Sequence, residues 1–339
     1  MNTIATTGRE IQLASRPNGE PGLDNFTTAE VEVPAPGHDQ ILVRNTWMSV
    51  DPYMRGRMND APSYIPPFAL DAPLEGSAVG EVIASNAAGI PVGATVSHFL
   101  GWREYAVVDA AAATVVDTSI ASEADYLGPL GTTGLSAYRA LTETAPVKPG
   151  DVVFISAAAG AVGSVAGQLA RKLGAAKVIG SAGGPEKTRR LVEDFGFDEA
   201  IDYRAAPIAE QLAKAAPDGI DVYLDSVGGD HLEAAIDNMR YEGRIAIVGA
   251  ISSYNATAPV SGPRNYFTMG AKQVTMRGFL VNFHLDHFGE YIAKAAGWLA
   301  DGSLRSESTV VDGLDRAPEA FLGVLNGANT GKMLVRLGD

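Results

Sequence analysis

From Val152 to Val281 the chain alternates between short apolar runs and stretches with helical periodicity. The runs are Val152–Ala158, Lys177–Ala182, Glu199–Tyr203, Asp221–Asp225, Arg244–Ala250 and Val274–Val281. Four amphipathic segments separate the first five, at about Val162–Leu173, Pro185–Phe195, Ala206–Ala215 and His231–Met239. The connection to the sixth run is longer and rich in Gly and Pro. Short apolar runs separated by helices predict an α/β fold with a doubly wound parallel sheet.

Residues 1–125 carry another pattern. Short runs at Gln40–Val43, Ala78–Ala84, Thr95–Phe99 and Glu104–Val108 are split by turns such as Pro34-Ala35-Pro36-Gly37 and Ile90-Pro91-Val92-Gly93. That spacing predicts a barrel-like domain of short strands. Ala124–Glu143 has helical spacing around Gly131-Thr132-Thr133-Gly134. The last stretch, Ser308–Asp339, is strand-like again, with one helix over Ala317–Asn326, and can complete the first domain. The expected organisation is a barrel over residues 1–125, a sheet domain over 126–300 and a return over 301–339. A length of 339 residues suits two domains.

Composition removes several function classes. The net charge of −14 argues against non-specific nucleic-acid binding, although it permits a local basic pocket for one phosphate. No apolar run reaches the roughly 18 residues that span a bilayer. The N-terminus lacks the apolar core of a signal peptide, so a cytoplasmic location is expected. With no cysteine, the chain has neither a disulfide nor a Cys-based zinc site, and no metal site is expected.

The candidate chemistry begins after the first run. Ala158-Ala159-Gly160-Ala161-Val162-Gly163 matches G-x-G-x-x-G with Ala in the first glycine position. Gly160 lets the backbone approach a pyrophosphate and Gly163 lets the helix pack close to its strand. The helix start, with Ala161 and Val162, offers amide N–H groups and a positive dipole to phosphates. An NAD site places Asp or Glu at the tip of the second strand to bind the ribose hydroxyls. Here that tip reads Ser181-Ala182-Gly183-Gly184-Pro185-Glu186-Lys187. Without a carboxylate at the strand tip, a 2′-phosphate meets no repulsion. Lys187 lies one turn into the next helix, and Tyr203 and Arg204 lie at the tip of the third strand. A cation, a phenol and small residues favour NADP(H).

The chain resembles the zinc-independent medium-chain dehydrogenases/reductases of the alkenal/one oxidoreductase group, and the resemblance covers nearly its full length. It rests on Ser49-Val50-Asp51-Pro52-Tyr53-Met54-Arg55, Ser63-Tyr64-Ile65-Pro66-Pro67-Phe68 and Gly131-Thr132-Thr133-Gly134-Leu135-Ser136-Ala137-Tyr138. It continues through Ala157–Gly163, Ala182–Lys187, Ser226-Val227-Gly228-Gly229, Gly249-Ala250-Ile251-Ser252-Ser253-Tyr254-Asn255 and Asn326–Lys332. The resemblance implies a GroES-like β-barrel joined to a Rossmann domain, with a cleft between them for nicotinamide and substrate. It also implies a homodimer in which two Rossmann sheets join.

The implied reaction is NADPH-dependent reduction of the C=C bond of an α,β-unsaturated ketone or aldehyde. Tyr254, just past the fifth run, is the expected catalytic hydrogen-bond donor, with Tyr53 and Tyr64 on the substrate side. The cofactor would be held by Gly160, Ala161, Val162, Gly163, Gly183, Lys187, Tyr203, Ser226, Val227, Gly249, Ile251 and Tyr254. Thr132, Thr133 and Asn329 would lie at its nicotinamide end. The same fold also serves quinone reductases and alcohol dehydrogenases, and a non-catalytic NADPH-binding sensor or structural paralogue is the reading from another class. His284 and His287, three residues apart, mimic a metal motif without a further ligand cluster; a surface or lid loop is the expectation there. For Glu75, a lone carboxylate in a turn, the expectation is a structural role.

Overall fold

The computed structural model describes residues 6–338, which form two units, 6–127 with 308–338, and Gly128–Glu307. The chain opens with β1 (Thr6–Leu13), β2 (Phe26–Val33), β3 (Gln40–Ser49), the short helix α1 (Met54–Arg57), β4 (Ala78–Ser85), β5 (Thr95–His98), β6 (Tyr105–Asp109) and β7 (Thr114–Val115). The second unit follows. It contains α2 (Thr132–Arg139), β8 (Val152–Ile155), α3 (Ala161–Lys172), β9 (Lys177–Ala182), α4 (Pro185–Glu193), β10 (Glu199–Asp202) and α5 (Ile208–Ala215). It goes on through β11 (Ile220–Asp225), α6 (Gly229–Asn238), β12 (Met239–Ile247), α7 (Tyr266–Ala271), β13 (Thr275–Gly278) and α8 (Phe288–Ala300). The return to the first unit supplies β14 (Ser308–Asp312), α9 (Ala317–Leu325) and β15 (Lys332–Arg336).

In the first unit β3 organises the barrel. It pairs with β6 along Gln40–Arg44, with β15 along Trp47–Ser49, and with β4 on its other edge. Register shifts at Leu42/Val43 and Asn45/Trp47 bend the strand so that it can serve partners at both ends. Ile41, Val43, Val82, Val96 and Val108 form one apolar core. A second core joins distant parts of the chain: Phe26, Trp102 and Phe321 lie 6.1–6.2 Å apart between ring centroids, stacked and edge-on. Aromatic pairs in these geometries contribute about 1 kcal/mol beyond area burial, which helps fasten α9 to the first unit.

The second unit is a parallel sheet of order β10-β9-β8-β11-β12-β13. The switch between β8 and β11 is the point at which ligands bind in doubly wound sheets. Phe154, Ile179, Tyr223 and Ile245 pack beside Leu212, Ala235 and Ile236 of the covering helices. The runs Val152–Ala158, Glu199–Tyr203, Arg244–Ala250 and Val274–Val281 all outlast their strands. Val152–Ala158 turns after Ile155 because Ala157 takes φ 47°, the left-handed region that favours glycine. Arg244–Ala250 covers only the later part of β12 and the loop beyond it. Among the described residues, no helix is long and apolar enough to cross a membrane.

Candidate functional site

The turn from β8 into α3 shows how alanine replaces the first glycine. Ala158 is fully buried, and its amide donates to the Ser181 carbonyl at 2.9 Å. The facing residue on β9 is Gly180, where an added Cβ would lie 2.7 Å from that of Ala158. Gly163 has no such room, since a Cβ there would meet the Ala157 carbonyl oxygen at 2.5 Å. Gly160 precedes α3 in extended conformation with no side chain capping the helix. The first amides of α3, from Ala161, Val162 and Gly163, are thus left for an anion.

Beyond β9 the structure brings Gly183, Lys187, Tyr203 and Arg204 together. A Cβ on Gly183 would stand 2.9 Å from the Tyr203 hydroxyl and 2.8 Å from Arg204 Nε. Burial, followed by the nearby Arg204 charge, pushes the Lys187 ammonium below its ordinary range. Two like charges held close are stabilised by an added anion, so the cluster can take a phosphate monoester. Asp202, at the tip of β10, does not oppose this with an idle carboxylate. Its Oδ1 accepts from the amides of Gly184 at 2.9 Å and Arg204 at 3.0 Å. Sequence reading missed His231, whose ring meets Tyr203 edge-on at 5.4 Å. No local spacing signals it, because α6 carries it there.

Ser226, Val227, Gly249, Ile251 and Tyr254 meet at the C-terminal edges of β11 and β12. The amides of Ile251 and Ser252 donate to the carbonyls of Ser226 and Val227, each at 3.1 Å. The buried Asp225 Oδ1 accepts from the amides of Val227 and Gly228 and from the Tyr223 hydroxyl, each at 2.8 Å. The Tyr254 hydroxyl accepts from the Ala250 amide at 3.3 Å, and a Cβ on Gly249 would come within 3.2 Å of it. Burial raises the pKa of this phenol, the Ala250 bond lowers it and the Asp225 charge raises it again. The net shift is upward, so the phenol is neutral and can donate. On α2, Thr133 is buried and its hydroxyl donates to the Gly128 carbonyl at 2.9 Å, whereas Thr132 is half-buried.

Tyr53, Tyr64 and Asn329 belong to the first unit. Tyr53 begins α1, and its buried hydroxyl has no partner among the described residues. Burial, with Asp51 next, drives its pKa well upward, and Tyr64 is close enough to contribute. Tyr64 itself is exposed. The Tyr53 turn is fastened by Lys332, a residue to which sequence reading gave no role. Its buried ammonium donates to the Val50 carbonyl at 2.8 Å and lies 3.0 Å from Asp51. Ser49 donates to the other oxygen of that carboxylate. Asn329 turns back on its own loop, its Nδ2 donating to the Gly331 carbonyl at 2.7 Å. His284 precedes and His287 ends a single turn of 3-10 helix, so the two do not share an α-helical face. Among the described residues, no three His, Cys, Asp or Glu cluster as metal ligands.

Family models match at residues 9–116, described as the N-terminal domain of oxidoreductase, and at 161–298, described as zinc-binding dehydrogenase. The putative NADP-dependent oxidoreductase YfmJ of Bacillus subtilis is 42% identical, with 99% of each chain covered. The chain belongs to the zinc-independent medium-chain dehydrogenase/reductase family. It is an NADP(H)-dependent oxidoreductase. The NADPH-dependent curcumin reductase of Escherichia coli is 37% identical over 97% of this chain and 96% of its own. The crystal structure of CurA from Vibrio vulnificus in complex with NADPH aligns with TM-score 0.93 at 39% identity, covering 98% of this chain and 99% of that one. The cofactor suits the residues present: close-approach glycines, an uncapped helix start, and two cations beside a phenol.

Proposed function

We propose that this enzyme uses NADPH to reduce the C=C bond of α,β-unsaturated ketones or aldehydes. The observation that carries the reading is the Tyr254 phenol at the C-terminal edge of the sheet. It accepts from Ala250, which leaves its own proton to donate, and burial keeps it neutral. In this reading the α3 start, with Gly160, Ala161, Val162 and Gly163, takes the pyrophosphate. Gly183, Lys187 and Tyr203, with Arg204, take the 2′-phosphate. Ser226, Val227, Gly249 and Ile251 line the ribose side, and Thr132, Thr133 and Asn329 serve the nicotinamide end. With its hydroxyl proton engaged by Gly128, Thr133 contributes as an acceptor.

When bound, the cofactor supplies a hydride equivalent to the β-carbon. Negative charge then gathers on the carbonyl oxygen, where Tyr254 donates a hydrogen bond. Tyr53 and Tyr64 hold the substrate carbonyl side, Tyr53 with a buried hydroxyl that also remains protonated. A proton then joins the α-carbon, so the π bond is lost and each of the two carbons, still singly bonded, gains one C–H bond. The relative named for curcumin supports the substrate class, since curcumin carries double bonds conjugated to carbonyls. A panel of enones, alkenals and quinones tests the proposal: NADPH should be consumed with the first two. Consumption with quinones alone would refute it.

The same reading includes a homodimer. It is supported by β13, an edge strand whose four residues are all exposed and which offers unpaired backbone groups. Light scattering at the mass of one chain would remove that part.

A further inference from the structure

A cavity of about 520 Å³ lies within the first unit, lined by Arg57, Glu75, Arg103, Phe68, Phe99, Ile65 and neighbouring Pro and Ala residues. Its walls are apolar apart from two guanidiniums and one carboxylate. Arg57 is only 5% exposed, and its guanidinium lies 4.0 Å from the Phe68 ring centroid. Its Nε donates to the Pro66 carbonyl at 2.9 Å and its Nη2 to Glu75 at 2.8 Å. Its Nη1 is buried and has no acceptor among the described residues. Arg103 donates to the carbonyls of Gly101 and Leu74, and burial lowers its pKa against the opposing charges of Glu10 and Glu75.

A buried charged donor left without an acceptor is costly, and such a group in a native fold calls for a partner. The missing partner must accept, which excludes an amine. The single carboxylate lining the cavity is already bound to Arg57, so the lining keeps an excess positive charge. Around that charge stand aromatic, proline and aliphatic walls that suit a hydrocarbon or aryl body. Pockets of 300–1,000 Å³ with few polar groups are typical of small-molecule sites. We propose that this cavity binds the carboxylate end of an apolar acid, with Arg57 as the principal anchor and Arg103 adding charge. Glu75 is then a competitor within the site: it holds one edge of Arg57 that an incoming carboxylate would otherwise take.

Calorimetric titration of the full chain with octanoate, octan-1-ol, octylamine and acetate tests this without turnover. Octanoate should bind at least about tenfold more tightly than each of the others, as a charge-assisted hydrogen bond requires. Arg57→Met should abolish that preference. Because Arg57→Met can also disturb folding, Glu75→Gln supplies an independent reading: releasing Arg57 should tighten octanoate binding several-fold. Equal binding of octanol would show that charge is not recognised, and equal binding of acetate that the apolar walls contribute nothing. Either result, a preference for octylamine, or unchanged or weaker octanoate binding by Glu75→Gln overturns the proposal.

Discussion

Ala158 and Gly180 hold one methyl group between them: a Cβ on Gly180 would stand 2.7 Å from that of Ala158 and equally close to the Phe197 ring. The departure of Ala158 from the usual glycine fingerprint is therefore compensated on the next strand. Gly180→Ala is expected to destabilise the protein by about 2 kcal/mol, the cost of overpacking a full core. Adding Ala158→Gly should recover part of the loss, but not all, because Phe197 still obstructs. Urea unfolding of the native protein, Gly180→Ala and the double variant checks both statements.

Burial, and after it the charge of Arg204, pushes the Lys187 ammonium below its ordinary range, and a 2′-phosphate placed there would offset that repulsion. Lys187→Ala should weaken NADPH binding about tenfold and leave NADH binding nearly unchanged, since the phosphate contact is the difference between them. Fluorescence titration with both cofactors reads the ratio. Equal loss for the two would move Lys187 out of the phosphate site.

For Tyr254 the expectation separates chemistry from binding. Tyr254→Phe should lower kcat about a hundredfold, as loss of one oxyanion donor does, with NADPH affinity largely kept. In the native enzyme, kcat should hold further into the alkaline range than an ordinary phenol would allow, because burial raises this phenol and donation needs its proton. A pH–rate profile measured alongside the variant tests both.

His98 ties stability to pH. Its Nδ1 accepts from the Leu100 amide at 3.1 Å, so the neutral ring presents Nε2–H to Asn45 at 2.9 Å. Burial, followed by the charge of Arg103, lowers its pKa to about 4. Between that value and the unfolded value near 6.5, the unfolded chain binds the extra proton. Stability from this group is full above pH 6.5 and falls as pH drops toward 4, by on the order of 3 kcal/mol. Urea midpoints at pH 7 and pH 4.5 should show it, and His98→Gln should flatten the difference.

Much of the second unit was legible because its central strands β8, β9 and β11 are buried on both faces. Lys177–Ala182 reads as an apolar run and is a strand with the same limits. The start of β12 was not legible: Arg240, Tyr241 and Glu242 are polar or exposed, and Glu242 carries positive φ. β1 and β2 also went unread, since they form a separate two-stranded sheet in which β2 buries only Phe26 fully. In the proposed phosphate site, the grouping of Lys187 and Tyr203 was readable from where β9 and β10 end. The pairing of Asp51 with Lys332 links distant segments, and His231 reaches Tyr203 through α6 packing. Such contacts depend on tertiary structure and leave no local pattern.

Double-bond reduction is tested most directly by isotope transfer. The enzyme would be given NADPH deuterated at the transferable position of the nicotinamide, together with an acyclic enone. The expected product is a saturated ketone with deuterium on the former β-carbon. Deuterium on the carbonyl carbon of an alcohol, or no transfer to any enone, would contradict it.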